Sequence, residues 1–390
     1  VISYDQILSD KVKMVKPSGI RKFFDLASEM EGVISLGVGE PDFDTPYSVR
    51  QAGIRSLEQG RTYYTANNGL MELREGISRY LQRRFSLSYA PKDEILVTVG
   101  GSEAIDIGVR ALVNPGDEVI IPQPSFVCYE PIVQLCGGVP VIIETKVEDE
   151  FRLTAKDLKE KITSKTKLLI LPFPNNPTGA IMRREDLEEI AQVLRGTDIC
   201  VLSDEIYAEL TYGGVKHTSI AQLDDMWERT LLVGGFSKSY AMTGWRLGYV
   251  CAPAPIVAQI KKIHQFAIMC APTTSQYAAI EAINNCDEEI EAMRDEYDAR
   301  RRFIVDAFNK MGLDCFSPRG AFYVFPCIKS TGLSSAAFCE QLLQAKKIAV
   351  VPGDAFGACG EGYLRVSYCY SIKHLKKAVE KIGEFIRELG

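Results

Sequence analysis

Gly235-Phe236-Ser237-Lys238-Ser239-Tyr240-Ala241-Met242-Thr243-Gly244-Trp245-Arg246-Leu247-Gly248 sets one lysine among small residues and an arginine eight positions on. Most lysines are solvated surface charges. This one follows an apolar run, Thr230 to Val233, that reads as a buried strand closed by a Gly-Gly turn. Open α/β sheets keep their ligands at the carboxyl ends of such strands. An amine held there loses hydration, its pKa falls, and it becomes a nucleophile toward an aldehyde. Arg246 is then spaced to hold a phosphate on the same ligand.

The chain around this stretch alternates short apolar runs with amphipathic ones. Strands are expected at 95–99, 118–121, 140–143, 168–171, 199–203, 230–233 and 247–251. Helices such as 102–112, 184–194 and 254–267 separate them. That alternation predicts an α/β architecture, a mainly parallel seven-stranded sheet between helices. The pattern changes after residue 285 or so. One long charged helix over 288–311 carries an apolar stripe of Ile290, Met293, Tyr297, Phe303, Ile304 and Phe308, and a shorter α+β region follows. A length of 390 residues suggests two domains, with the larger one near 46–284.

Composition excludes several function classes. A net charge of −6 argues against a nucleic-acid surface. No apolar run is long enough to cross a bilayer, and Val1–Lys16 lacks the apolar core of a secretory signal. The 11 cysteines are scattered without a C-x-x-C pair, so they read as reduced thiols in a cytoplasmic protein. Cys200, Cys251, Cys327 and Cys369 fall in apolar segments and are expected in the core. Three distant histidines, His217, His264 and His374, give little support to a metal site.

Other constellations sit at other strand ends. Gly100-Gly101-Ser102-Glu103-Ala104 opens a helix; it is either an ordinary turn with Ser102 as N-cap or an anion cradle of free N–H groups. Pro174-Asn175-Asn176-Pro177-Thr178-Gly179 is a turn by composition, and it also offers the Asn176 amide to a ligand oxygen. Ser203-Asp204-Glu205-Ile206-Tyr207 places a carboxylate at a strand end. Asp204 there either caps a helix or keeps a ring nitrogen protonated so that the ring takes up carbanion electrons. Phe126, in Pro124-Ser125-Phe126-Val127-Cys128-Tyr129, reads as core when taken by itself. An aldehyde that meets Lys238 and a phosphate that meets Arg246 together describe pyridoxal 5′-phosphate (PLP).

Taken in chain order, these motifs resemble the class I and II aminotransferases, the fold type I PLP enzymes. The similarity runs from Gly37-Val38-Gly39-Glu40-Pro41-Asp42 to Arg365, and is greatest to the prokaryotic subgroup with aspartate, aromatic and alanine aminotransferases. The resemblance implies that residues 1–45 join 285–390 in the small α+β domain. It implies cofactor contacts from Gly101, Ser102, Glu103, Ser237 and Arg246 at the phosphate, with Phe126 stacked on the ring. Asn176 and Tyr207 would meet the phenolic oxygen, Asp204 the ring nitrogen, and Lys238 the aldehyde. Arg365 and the Gly39 N–H would hold the substrate α-carboxylate, with Asn176 beside them. Tyr64 would reach the phosphate of a neighbouring subunit, so the active sites would be shared across a homodimer.

Two departures bear on substrate. Gly235 stands where many members place a phosphate-binding serine, which leaves Ser237 as the candidate replacement. Ser102 stands where some acidic-substrate members carry a lysine. With Tyr63, Tyr64 and Phe126, this favours an aromatic or broad range of amino acids. The expected activity is ping-pong transfer of an amino group to a 2-oxo acid such as 2-oxoglutarate, with Lys238, Asp204 and Tyr207 as the catalytic groups. An aspartate or alanine aminotransferase, a PLP-dependent C–S β-lyase and a non-catalytic PLP-binding regulatory protein are the alternatives.

Overall fold

Seven strands build the central sheet: β1 (Ile95–Thr98), β2 (Glu118–Gln123), β3 (Val139–Glu144), β4 (Thr166–Leu171), β5 (Cys200–Asp204), β6 (Thr230–Gly235) and β7 (Gly248–Cys251). In the computed structural model, which describes residues 2–17 and 30–389, they lie in the order β1-β7-β6-β5-β4-β2-β3. Every adjacent pair is parallel except those of β7, which runs against both β1 and β6. The expected mainly parallel seven-stranded sheet is present.

Alternate residues of a strand face opposite sides. Leu168 and Ile170 of β4 pack with Ile105, Val109 and Ile260, from the helices Gly100–Leu112 and Ala254–Ala267. Leu169 and Leu171 face the other way, toward Leu187, Ile190 and Leu194 of the helix Arg184–Leu194. A sheet covered on both faces needs apolar residues in both phases, which is why its strands read as unbroken apolar runs.

Gly234 and Gly235 form no turn. They continue β6 and pair with Tyr249 and Gly248 of β7. A Cβ on Gly234 would lie 2.4 Å from the Tyr249 ring, and one on Gly235 would lie 2.6 Å from Ile206 Cδ1. Glycine stands here because two layers approach closely.

The helix Asp287–Lys310 begins with Asp287, Glu288 and Glu289, charges favoured at the positive end of a helix dipole. Its buried stripe departs from expectation at one point. Phe303 is only half-buried, while Arg300 and Arg301 are buried beside it. Arg300 bridges Asp42 at 2.7 Å and Glu296 at 2.9 Å, which ties the 37–42 loop to this helix.

Three smaller pairings complete this part. Ile34–Ser35 runs parallel to Ile348–Ala349. Leu364–Ser367 lies between Val351–Pro352 and Tyr323–Val324, antiparallel to both. Ile34 and Leu36 share a core with Phe308, Phe338 and Leu375. Of the expected 1–45 segment, residues 1 and 18–29 lie outside the described residues. Cys251 and Cys369 are buried as expected, but Cys200 and Cys327 are half-buried. Among the described residues no helix is long and apolar enough to cross a membrane.

Candidate active site

Parallel strands bring their carboxyl ends to one edge, and β7, running backwards, begins at that edge. The segments that follow β1, β2, β4, β5 and β6, and the one that leads into β7, converge there on a cavity of about 320 Å³.

One end of the cavity suits an anion. Gly101 and Ser102 line it from the first turn of the helix Gly100–Leu112, with Ser237 and Arg246 alongside. Val99, not Ser102, is the N-cap, and its side chain makes no cap hydrogen bond among the described residues. A Cβ on Gly100, which has φ +73°, would lie 2.7 Å from a guanidinium nitrogen of Arg246. A Cβ on Gly248 would lie 2.6 Å from the Gly100 carbonyl carbon. These two glycines let Arg246 lie against the start of the helix. Uncapped N–H groups, the helix dipole and a guanidinium then act together on a phosphate.

Glu103 does not line the cavity. Its carboxylate turns away, 2.6 Å from His264 Nδ1, and also accepts the Val99 N–H. The side chain braces the first turn to the helix Ala254–Ala267, which leaves the backbone N–H of Glu103 for the expected contact with a ligand.

The middle of the cavity holds Asp204 and Lys238. Asp204 is 7% exposed and caps nothing, since no helix begins there. Its Oδ2 accepts the Tyr129 hydroxyl at 2.6 Å and its Oδ1 the Ile206 N–H at 3.2 Å. Burial pushes its pKa upward, against the pull of those two bonds and of Lys238. A buried carboxylate of this kind gains from a cation placed beside it. Lys238 Nζ donates to the Gly39 carbonyl at 2.7 Å. Burial lowers its pKa to about 8, with Arg365 and Arg246 adding to the fall and Cys369 and Glu40 opposing it. A fair share of the amine is therefore neutral near physiological pH, as attack on an aldehyde requires.

At the other end Arg365 is 4% exposed rather than solvated. One of its nitrogens donates to Asn176 Oδ1 at 3.0 Å, and another to the Gly37 carbonyl. Its Cζ lies 4.7 Å from the ring centroids of both Tyr323 and Phe356. Gly39, Phe126, Asn176 and Tyr207 also line the cavity. Tyr64 does not, and it is 80% exposed.

The family model for aminotransferase class I and II matches residues 31–382. The chain belongs to that family. YugH of Bacillus subtilis (strain 168) is 54% identical to this aminotransferase, with 98% of each chain covered. The aspartate aminotransferase of Pyrococcus abyssi is 47% identical, again with 98% of each covered. The crystal structure of the aromatic aminotransferase from Pyrococcus horikoshii superposes with a TM-score of 0.90 at 44% identity, covering 95% of this chain and 100% of that one. The enzyme is a PLP-dependent transferase. Its cavity fits that cofactor: an uncapped helix start with an arginine for the phosphate, a buried carboxylate for the ring nitrogen, and an amine of lowered pKa for the aldehyde.

Two aromatic residues that line the cavity, Tyr129 and Tyr323, carry no role in the sequence motifs. Tyr129 bonds Asp204, and its ring packs edge-on against Phe126 with centroids 6.2 Å apart. The i, i+3 spacing from Phe126 was the available signal. Tyr323 lies 116 positions from the residue it touches, Tyr207, and no local pattern marks it.

Proposed function

We propose that this aminotransferase moves the amino group of an L-amino acid with an aromatic or other uncharged side chain to a 2-oxo acid such as 2-oxoglutarate. One observation carries this reading. Among the described residues lining the cavity, the cations are Lys238, Arg246 and Arg365. The aldehyde, the phosphate and the α-carboxylate take all three, and none remains for a side-chain carboxylate. The name of the Pyrococcus abyssi relative supports aspartate as a second reading.

Bound PLP supplies an aldehyde that joins the amino nitrogen and a ring that accepts the Cα electrons. Arg365 holds the α-carboxylate, aided by Asn176 and the Gly39 backbone. That grip would fix which bond at Cα is presented to the base. Lys238, its pKa lowered to about 8 by burial, would be the group that holds and moves the Cα proton. Asp204 would hold positive charge at the ring nitrogen, and Tyr207 would donate to the phenolic oxygen. Phe126 would pack on the ring, and Gly101, Ser102, Ser237 and Arg246 would hold the phosphate.

The test is a half-reaction screen. PLP-loaded protein is mixed with single amino acids and no acceptor, and the visible absorbance of the cofactor is followed. Bleaching by Phe and Tyr, and not by Asp, is expected. Bleaching chiefly by Asp or Glu overturns the substrate assignment, and steady pyruvate release from a cysteine conjugate points to a lyase.

We also propose a cytoplasmic homodimer with shared sites, in which Tyr64 serves the partner's phosphate. Tyr63, Tyr64, Phe266, Ile268 and Met269 are all exposed, and hydrogen bonds from Asn67 to Met269 and from Thr273 to Tyr63 gather them on one surface. Such a cluster is the mark of an interface. A monomer mass in sedimentation equilibrium would remove the dimer. Within each subunit we infer a cofactor-holding unit of 46–284 and a smaller one of 1–45 with 285–390. The core that Ile34 and Leu36 share with Phe308 and Leu375 supports that division.

A further inference from the structure

We propose that Tyr323 is a positioning residue joining the two working ends of the site: its hydroxyl donates to the Tyr207 hydroxyl, and its ring backs the Arg365 guanidinium. This rests on the reading that Tyr207 meets the cofactor's phenolic oxygen and Arg365 the substrate carboxylate.

The Tyr207 and Tyr323 hydroxyls are 2.9 Å apart in a buried pair. A phenol has one hydrogen to give. If Tyr207 gives its hydrogen to the ligand, its oxygen must accept within the pair, so Tyr323 is the donor. Hydrogen count alone fixes that order. Accepting a bond polarises a phenol and makes it a stronger donor in turn. Burial pushes Tyr207 well above the ordinary phenol range and Tyr323 up to about 12, so both keep their hydrogens at working pH.

The same side chain touches two other parts of the site. Its ring centroid is 4.7 Å from Arg365 Cζ. Tyr323 also pairs with Ser367, on the strand that carries Arg365, so ring and guanidinium are held by one ladder. A Cβ on Gly39 would lie 1.8 Å from the Tyr323 oxygen. Gly39 is therefore a glycine because Tyr323 rests on its backbone, the same backbone that accepts from Lys238. The titratable groups facing the tyrosine pair are Asp204, Lys238, Arg365 and Cys369.

The experiment compares PLP-loaded wild type with Tyr323→Phe, Tyr323→Leu, Tyr207→Phe and the Tyr207→Phe/Tyr323→Phe double variant. It reads the pH midpoint of the cofactor's visible band and the KM for the amino donor. A weaker donor at Tyr207 leaves the phenolic oxygen less stabilised as an anion, so the nitrogen joined to the cofactor holds its proton to higher pH. Tyr323→Phe is expected to raise the midpoint by roughly 0.5 pH unit, the worth of one neutral hydrogen bond. Its KM should stay within about twofold, since the ring remains on Arg365. Tyr323→Leu removes the ring as well and should raise KM roughly fivefold. Tyr207→Phe should shift the midpoint further, and the double variant no further than Tyr207→Phe alone. A Tyr323→Phe midpoint at the wild-type value, with Tyr207→Phe shifted, overturns the role of Tyr323 and leaves the site reading intact. A Tyr207→Phe midpoint at the wild-type value overturns both roles. A wild-type protein that shows no visible band with PLP overturns the reading beneath them.

Discussion

The Lys238→Ala variant is expected to lose roughly 10⁴-fold or more in kcat while still taking up PLP. Positioned proton transfer contributes up to about 10⁴-fold by itself, and Lys238 supplies it twice, at Cα and at the cofactor carbon. The covalent hold on the cofactor goes with the same side chain. Uptake survives because Gly101, Ser102, Ser237, Arg246 and Asp204 keep their places around the cavity. The fold should survive too: burial disfavours this ammonium group, so alanine removes a strained charge, and the only hydrogen bond Lys238 makes among the described residues is to the Gly39 carbonyl. The check is kcat with a competent donor, alongside cofactor retained after dialysis. Turnover near wild type would sink the assignment. The lowered pKa gives the same residue a pH signature. Only the neutral amine attacks, and it is neutral above its pKa, so covalent uptake of PLP by apo wild type should speed up with pH and level off above about 8.

The site was legible because its residues follow strand ends. Lys238, Asp204, Asn176, Phe126 and Gly101 each come just after an apolar run, and a parallel sheet brings those ends to one edge. Sequence order placed these residues at strand ends without knowledge of any distance, while the part given to Phe126, which by itself reads as core, came from the family resemblance. The strands themselves were visible because Leu168–Leu171 and Thr230–Val233 are covered on both faces and cannot afford polar residues in either phase.

What was missed depends on partners far along the chain. Gly234-Gly235 has the composition of a turn, and only the Tyr249 ring and Ile206 reveal that these are strand positions under pressure. Glu103 stands in the expected motif, yet its direction is set by His264, 161 residues away. Phe303 fits the helical period, but Asp42 and Glu296 draw Arg300 inward beside it. Tyr323 carries no local mark at all. Spacing reports the path of the backbone; it does not report which of several long side chains wins a buried partner.

Asp204→Asn should separate stability from function. The carboxylate is buried among Tyr129, the Ile206 N–H and the Lys238 amine, and burial is the largest influence on it, raising its pKa. A raised carboxyl pKa means that the folded apo protein binds the proton more tightly than the unfolded chain. The site's contribution is then fully present below the unfolded pKa and is lost as pH rises from there through the folded pKa. Burial opposes negative charge on this carboxylate in the wild-type apo protein. Asparagine keeps the shape and an acceptor oxygen and removes that charge, so the apo variant should unfold at the same temperature as wild type or higher. Activity should move the opposite way. Once PLP is bound, Asp204 has a cation to hold at the ring nitrogen, and breaking a buried pair of that kind costs about 3–5 kcal/mol. The expected result is a fall of roughly 10²–10⁴-fold in kcat. Thermal denaturation of both apo proteins and kcat of both PLP-loaded ones give the two readings. A variant that keeps wild-type kcat would show that the carboxylate has a structural role only. One that unfolds well below wild type would show that Tyr129 and Ile206, rather than the cofactor, are the partners it is built for.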